Sequence, residues 1–328
     1  MTLRIGLVGG GTVAALHHAA AARCRDVEIV ALCEPNAPLR RSRSAEWKLS
    51  AYDTLDALLA SSDADALIIA TSHDAHTDAA TAALRSGRHV LVEKPVDNAA
   101  ERIRVIAAVA AERRLVAMPG HNYAYLPEAR RVIESARDGR LGHCRAAFIT
   151  YAIAHSESLA ARYGSALEEI MVHHAYLSLA AFGLPITISA GESSPAWASL
   201  STSDQAWMTW QYETDGKPGL SAHLFASLGV DDLSDSPQSV SMKVLGSEGS
   251  SSFTWRSTTS VPRGGPFSVG LPLYEETFVH QLVAFRDAIA GDEAAILSTM
   301  EDAAIVADLM SAAREAVRTR ASVVIAAR

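Results

Sequence analysis

A glycine turn, Gly9-Gly10-Gly11-Thr12-Val13-Ala14, follows directly on the apolar run Leu3 to Val8 and opens an alanine-rich helical stretch from about Val13 to Arg23. A strand that passes through a tight turn into a helix returns to its own sheet by a crossover, and that commits the next strand to lie parallel to it. The residues that follow repeat the pattern. Val27 to Cys33 reads as a second strand ending at Glu34, and Pro35-Asn36 breaks it before a basic helix around Arg40 to Lys48. Asp53 is placed to cap a helix from Thr54 to Ala60, and Ala66 to Ala70 is a buried type of strand. A helix from His76 to Arg85 stops at Gly87, and the strand His89 to Val92 follows it. A helix from Ala99 to Arg113 and a last strand near Leu115 to Met118 precede Pro119-Gly120. Strands separated by helices predict an α/β, doubly wound parallel sheet of the Rossmann kind.

Beyond Gly120 the pattern changes. A helix from about Tyr125 to Asp138, an alternating stretch from Ala146 to Ala154 and a helix from Leu167 to Phe182 lead into four strand-like runs. These are Trp207 to Tyr212, Leu220 to Phe225, Val240 to Leu245 and Ser251 to Trp255, joined by Gly, Ser, Asp and Pro turns, and they predict a mostly antiparallel open sheet. Helices from Glu275 to Ala290 and from Met300 to Arg318 follow, and the segments Asp231 to Pro237 and Ser257 to Pro272 read as mobile loops. A chain of 328 residues exceeds what one ordinary core supports. The expected domains are therefore 1–120, dinucleotide-binding, and 121–328, an α+β domain for substrate binding and oligomerisation.

Composition excludes several classes. A formal net charge of -8 argues against a phosphate-tracking surface, so no nucleic-acid partner is expected. No uninterrupted apolar segment is long enough to span a bilayer, and no signal-peptide pattern precedes the first strand. Cys24, Cys33 and Cys144 are odd in number and lack the paired spacing of a zinc site, so they read as buried thiols and no metal is expected. A soluble cytoplasmic protein is the expectation.

The glycine turn carries chemistry as well as topology. Gly9 permits the tight turn, Gly11 lets the backbone approach a pyrophosphate, and Ala14 takes the small packing position where the helix lies against its strand. The amides at the helix start, from Thr12 and Val13, face the phosphates together with the positive end of the helix dipole. Glu34 ends the second strand about twenty residues beyond Ala14, where a carboxylate bonds the adenosine ribose hydroxyls and repels a 2′-phosphate. That favours NAD, with NADP the alternative because Arg40 and Arg41 lie close in sequence. A solvated helix face is the other reading of both arginines.

Glu93-Lys94-Pro95 ends the run His89-Val90-Leu91-Val92, at the carboxyl end of a later parallel strand that reaches the same crevice. A hydroxyl being oxidised loses its proton as hydride leaves, so a group beside that oxygen must take up the proton. Lysine serves when partial burial and nearby positive charge favour its neutral form. An ion pair between Glu93 and Lys94 is the structural alternative. Pro95 restricts Lys94 to extended backbone.

With these features the chain resembles the Gfo/Idh/MocA family, that is, glucose-fructose oxidoreductase, inositol dehydrogenase and rhizopine catabolism. The resemblance rests on Gly9-Gly10-Gly11, Ala70-Thr71 followed by His76, Val92-Glu93-Lys94-Pro95, Asn122, Pro127, and the helix carrying Glu169 and His173. It extends to Leu245-Gly246-Ser247-Glu248-Gly249 and the final two helices. It implies an NAD(P)-dependent dehydrogenase or reductase of sugars, cyclitols and related polyols, with a carboxy-terminal sheet that forms a homodimer or homotetramer. It also implies cofactor contacts at Thr71, Ser72, His73, His76, Glu93, Lys94 and Asn122. In the family an aspartate and a histidine four residues later share one helix face, and the histidine joins the lysine as acid/base. Glu169 and His173 match that spacing, Gly183 supports the register, and His174 is the competing imidazole.

Departures from the family pattern include Met171 for glycine, Tyr176 for aspartate, Ser72-His73 for a proline-containing pair and Tyr123-Ala124 where basic residues are frequent. Tyr151, His155, Tyr163 and Trp210 are candidates to stack on a sugar, sheet packing being the other reading. The expected reaction interconverts a secondary alcohol and a ketone on a sugar, sugar nucleotide or cyclitol, with Lys94 and His173 handling the proton. The competing functions are an NAD-dependent glycoside hydrolase using transient oxidation and a non-catalytic dinucleotide-sensing protein.

Overall fold

Six parallel strands form the first sheet of the computed structural model, which describes residues 2–153, 164–194, 202–214, 217–229, 238–257 and 274–326. Along the chain they run β1 (Leu3–Val8), α1 (Thr12–Ala21), β2 (Val27–Cys33), α2 (Ala37–Trp47), β3 (Ser50–Tyr52) and α3 (Leu55–Ser61). There follow β4 (Ala66–Ile69), α4 (His76–Arg85), β5 (His89–Val92), α5 (Ala100–Arg113) and β6 (Ala117–Pro119). The spatial order β3-β2-β1-β4-β5-β6 reverses direction between β1 and β4. Open sheets of this kind bind ligands at that reversal, outside the carboxyl ends of the strands. Strands covered on both faces read as unbroken apolar runs, and Ala66, Leu67, Ile68 and Ile69 of β4 are all fully buried.

Local chemistry sets the boundaries. Asn36 caps α2 by accepting from the Leu39 amide, which starts that helix ahead of the expected Arg40. Thr54, not Asp53, caps α3, its hydroxyl accepting from the Ala57 amide. Strand β3 escaped the sequence pattern because its three residues are too short to show a period.

The second sheet has seven strands in the order β12-β11-β7-β10-β9-β8-β13. Its elements are α6 (Pro127–Arg137), β7 (Cys144–Ile153), α7 (Ala166–Glu169), α8 (Met171–Phe182), β8 (Thr187–Ser193), β9 (Gln205–Thr214), β10 (Lys217–Ser227), β11 (Gln238–Gly246) and β12 (Ser250–Ser257). After them come α9 (Glu276–Ile289), α10 (Met300–Thr319) and β13 (Val323–Val324). Among the described residues only β7 and β10 pair in parallel, so the sheet is mostly antiparallel, as expected. The turn between β11 and β12 is clasped to the β7 side. Ser247 N donates to His143 O, Glu248 N donates to Leu141 O, and a Cβ on Gly246 would strike the Leu141 carbonyl oxygen. The loops expected at Asp231 to Pro237 and beyond Ser257 lie outside the described residues.

Two compact units divide the chain. One comprises Met1–Tyr125 with Glu275–Ala307, and the other Leu126–Tyr274 with Asp308–Arg328. The first is thus discontinuous in sequence, unlike the expected 1–120, and α9 is the reason. Its buried stripe of Phe278, Leu282 and Phe285 repeats at helical spacing, Phe278 meets the His17 ring edge-on at 4.8 Å, and Arg286 donates to the Arg25 carbonyl at 2.8 Å.

Candidate active site

Gly9 adopts φ +103°, and a Cβ there would collide with the Ala70 carbonyl of the neighbouring strand's end, so only glycine fits. Gly11 is exposed and faces open space, Ala14 is fully buried, and no side chain caps α1. The amides of the first turn, where Thr12 and Val13 lie, therefore front a backbone cradle with the room and polarity a pyrophosphate requires. Glu34, almost wholly buried, accepts from the Gly10 amide on one oxygen and from the Asn36 amide on the other, both at 2.8 Å. Each carboxylate oxygen keeps a further lone pair for a ribose hydroxyl. Arg40 is partly exposed, and its guanidinium donates to the Glu34 and Pro35 carbonyls at 2.7 and 3.1 Å. Arg43, which the sequence did not mark, donates to the Gly10 carbonyl at 3.1 Å.

Thr71, Ser72 and His73 lie just past the carboxyl end of β4, beside the turn of β1, with Ser72 and His73 exposed. His76 is different. It is buried, and its two ring nitrogens face the Pro95 carbonyl at 3.0 Å and the Thr71 carbonyl at 3.1 Å. That ring braces the two loops against each other, and burial lowers its affinity for a proton. Asn122 is likewise buried past β6, its amide donating to Thr277 Oγ1 at 2.7 Å.

Lys94 is half-buried at the carboxyl end of β5, ahead of a cis peptide bond to Pro95. Glu93 is buried, and its oxygens face His17 Nε2 at 2.7 Å and the Lys94 backbone amide at 3.1 Å. His17 was missed in the sequence. The only signal was a polar residue on the alanine face of α1, among buried Ala14, Ala20 and Ala21. All the expected cofactor residues thus belong to the first unit, at one edge of one sheet.

Glu169 and His173 belong to the second unit, and a single helix does not carry them. Ile170, at φ -111° and ψ -38°, separates α7 from α8. Glu169 Oε1 accepts from the Gly164 amide at 3.4 Å, while His173 Nδ1 lies 2.9 Å from the Tyr176 hydroxyl. His174 stands between two backbone carbonyls, with Nε2 2.8 Å from Phe225 O and Nδ1 3.3 Å from Ile170 O, and its neutral ring donates to one of them. Burial pushes its pKa down to about 4, so it is a neutral brace between α8 and β10. Tyr151 and Trp210 are buried in the sheet core, whereas His155 and Tyr163 lie outside the described residues. Among the described residues no helix is long and apolar enough to cross a membrane.

These features define a dinucleotide-binding α/β unit joined to a unit built on a mostly antiparallel sheet. Residues 3–121 match the family model GFO_IDH_MocA, described as "Oxidoreductase family, NAD-binding Rossmann fold". The chain is similar to inositol 2-dehydrogenase of Rhizobium meliloti (strain 1021), 32% identical over 154 residues, 46% of this chain and 45% of that protein. It is similar also to the rhizopine catabolism protein MocA of Rhizobium meliloti, 31% identical over 140 residues, 43% of this chain and 44% of that protein. The matched segment therefore spans less than half the length of these relatives. Scyllo-inositol dehydrogenase from Lactobacillus casei, solved with NAD(H) and scyllo-inositol, shares the fold at TM-score 0.82 and 19% identity, covering 100% of both chains. GenD2 from gentamicin A biosynthesis, solved with NAD, shares it at TM-score 0.82 and 22% identity, over 99% of this chain and 97% of that one.

Proposed function

We propose that the protein is an NAD-dependent oxidoreductase that interconverts a secondary alcohol and a ketone on a sugar, sugar nucleotide or cyclitol. The first unit, which contains residues 1–120, is its dinucleotide-binding domain, and the second its substrate-binding and oligomerisation domain. The observation that carries this reading is the position of Lys94, at the carboxyl end of β5 in the same sheet that holds the open Gly9–Gly11 cradle. NAD supplies the hydride acceptor. Gly9, Gly11, Thr12 and Val13 hold its pyrophosphate, and Glu34, fixed by two amides, selects the unphosphorylated ribose. The engagement of Arg40 with two carbonyls supports NAD over NADP.

In the oxidative direction the substrate carbon gives up hydride while its hydroxyl proton passes to Lys94 Nζ or His173, and the reverse reaction returns both. The burial of His174, with Nε2 2.8 Å from the Phe225 carbonyl, supports His173 as the working imidazole. Glu169 acts on His173 from the preceding turn. The exposed face of the second sheet supports a homodimer or homotetramer: Trp207 and Phe225, directly paired across β9 and β10, are 46% and 39% exposed, and Phe148 is 43% exposed. Three free thiols are consistent with a cytoplasmic setting.

Assays over a panel of polyols and sugars with NAD test the reading. Lys94→Ala should abolish turnover while NADH binding, followed by fluorescence titration, falls by no more than about tenfold. Turnover that survives this substitution overturns the mechanism, and sugar release without NADH accumulation points instead to the hydrolase.

A further inference from the structure

We propose that Arg43 is a positioning residue, which holds the Gly10–Gly11 peptide in the orientation that receives the pyrophosphate. The inference rests on the dinucleotide reading of the glycine turn and deepens it. Gly10 is gripped by two side chains, one at each backbone group. Its N–H donates to Glu34 Oε2 at 2.8 Å, and its carbonyl accepts from Arg43 Nε at 3.1 Å. The direction of both bonds is set, because a backbone amide and a guanidinium only donate.

A peptide between two glycines is the link of the turn freest to flip, since neither flanking residue carries a Cβ to resist it. The Gly10–Gly11 bond is trans, so its C=O and N–H point in opposite directions, and a flip exchanges them. Arg43 holds the oxygen on the α2 side, which directs the Gly11 N–H the other way. A flipped peptide turns the oxygen to the side the N–H now faces, and there it repels an anion that an N–H attracts. Gly11 itself is exposed, with no atom within 4 Å of the place a Cβ would take.

Arg43 is itself held still. On α2 its Nη1 donates to Glu46 Oε2 at 2.8 Å, and its Cζ lies 4.8 Å from the centre of the Trp47 ring. Trp47 in turn stacks on His18 of α1 at 4.7 Å and 12°, so the arginine is braced against the helix that opens the cradle. An ion pair with an exposed glutamate contributes little by itself, and neither that pair nor the ring contact calls on Nε. Nε instead reaches the turn, 33 residues back along the chain.

Three substitutions test the claim. Arg43→Gln keeps an N–H donor the same number of bonds from Cα and loses the charge. Arg43→Met fills the same length without a donor, and Arg43→Lys keeps the charge without the Nε donor. Arg43→Met should weaken NADH and ADP about tenfold in fluorescence titration and competition, while Arg43→Gln stays within about threefold of the wild type and adenosine, which has no phosphate, is unaffected by either. Nitrogen-15 spectra of glycine-labelled full-length protein, with Gly11 assigned through Gly11→Ala, should show the Gly11 resonance displaced in Arg43→Met and restored in Arg43→Gln. Wild-type NADH affinity in Arg43→Met, an equal loss for adenosine, an unmoved Gly11 resonance, or rescue by lysine and not by glutamine overturns the proposal. If the wild type binds no NADH while the Gly11 signal follows the expected pattern, the cofactor reading fails and the hold of Arg43 on the Gly10–Gly11 peptide stands.

Discussion

Adjacency in sequence makes Glu93 and Lys94 look like an ion pair, yet the Glu93 carboxylate engages His17 on one oxygen and a backbone amide on the other. His17 and Glu93 are both buried, so truncating the imidazole strands a carboxylate away from water. His17→Ala should lower stability by about 3 kcal/mol, measured by urea unfolding. Glu34 allows a second test at this scale. Glu34→Ala removes the acceptor of two amides and of the ribose, so NADH affinity should fall about tenfold, or ~1.4 kcal/mol, while NADPH affinity falls less or rises. Parallel fluorescence titrations with the two cofactors decide it, and an equal loss for both would count against Glu34 as the selector. The glycines, Glu34 and Lys94 were legible because turn chemistry and strand ends announce themselves locally. His17 was not, because its partner lies 76 residues away.

Helix α8 shows how an element can match its expected position and differ in detail. Its end at Gly183, φ +75°, lies where the sequence puts it, but the expected continuous helix breaks at Ile170. Spacing alone could not reveal the break, because apolar periodicity continues through Leu167, Ile170 and Met171. What anchors α8 to β10 is His174, and this anchor titrates. The folded protein holds its imidazole at about 4 against 6.5 for the ordinary group, so the unfolded chain binds the proton first as pH falls. The contribution of His174 is therefore present above about pH 6.5 and is lost progressively as pH falls toward 4. His174→Gln keeps a donor for the Phe225 carbonyl and removes the titration, so the slope of stability against pH across that window should flatten in urea unfolding. Gly246→Ala bears on a neighbouring element. The added methyl meets the Leu141 carbonyl oxygen, and the resulting displacement of the β11–β12 turn should cost on the order of 2 kcal/mol, seen as a lowered Tm.

For the whole molecule, the two kinds of sheet were legible from strand grammar, since helices between strands enforce parallel pairing and short turns between strands enforce antiparallel pairing. The discontinuity of the first unit was not legible. A helical stripe shows that α9 buries one face, but periodicity does not say which partner receives it. The open face of the second sheet gives the assembly prediction: Trp207→Glu should shift the protein to a smaller species in light scattering, and an unchanged mass would remove that face as the interface. The return of α9 to the first unit also sets an order of events during synthesis. When the ribosome has passed residue 125, all six parallel strands exist, but Phe278, which packs on His17, and Thr277, which holds Asn122, have not been made. The nascent nucleotide-binding half must wait, incomplete, through the translation of 126–274, and only a polypeptide that already includes α9 can close it.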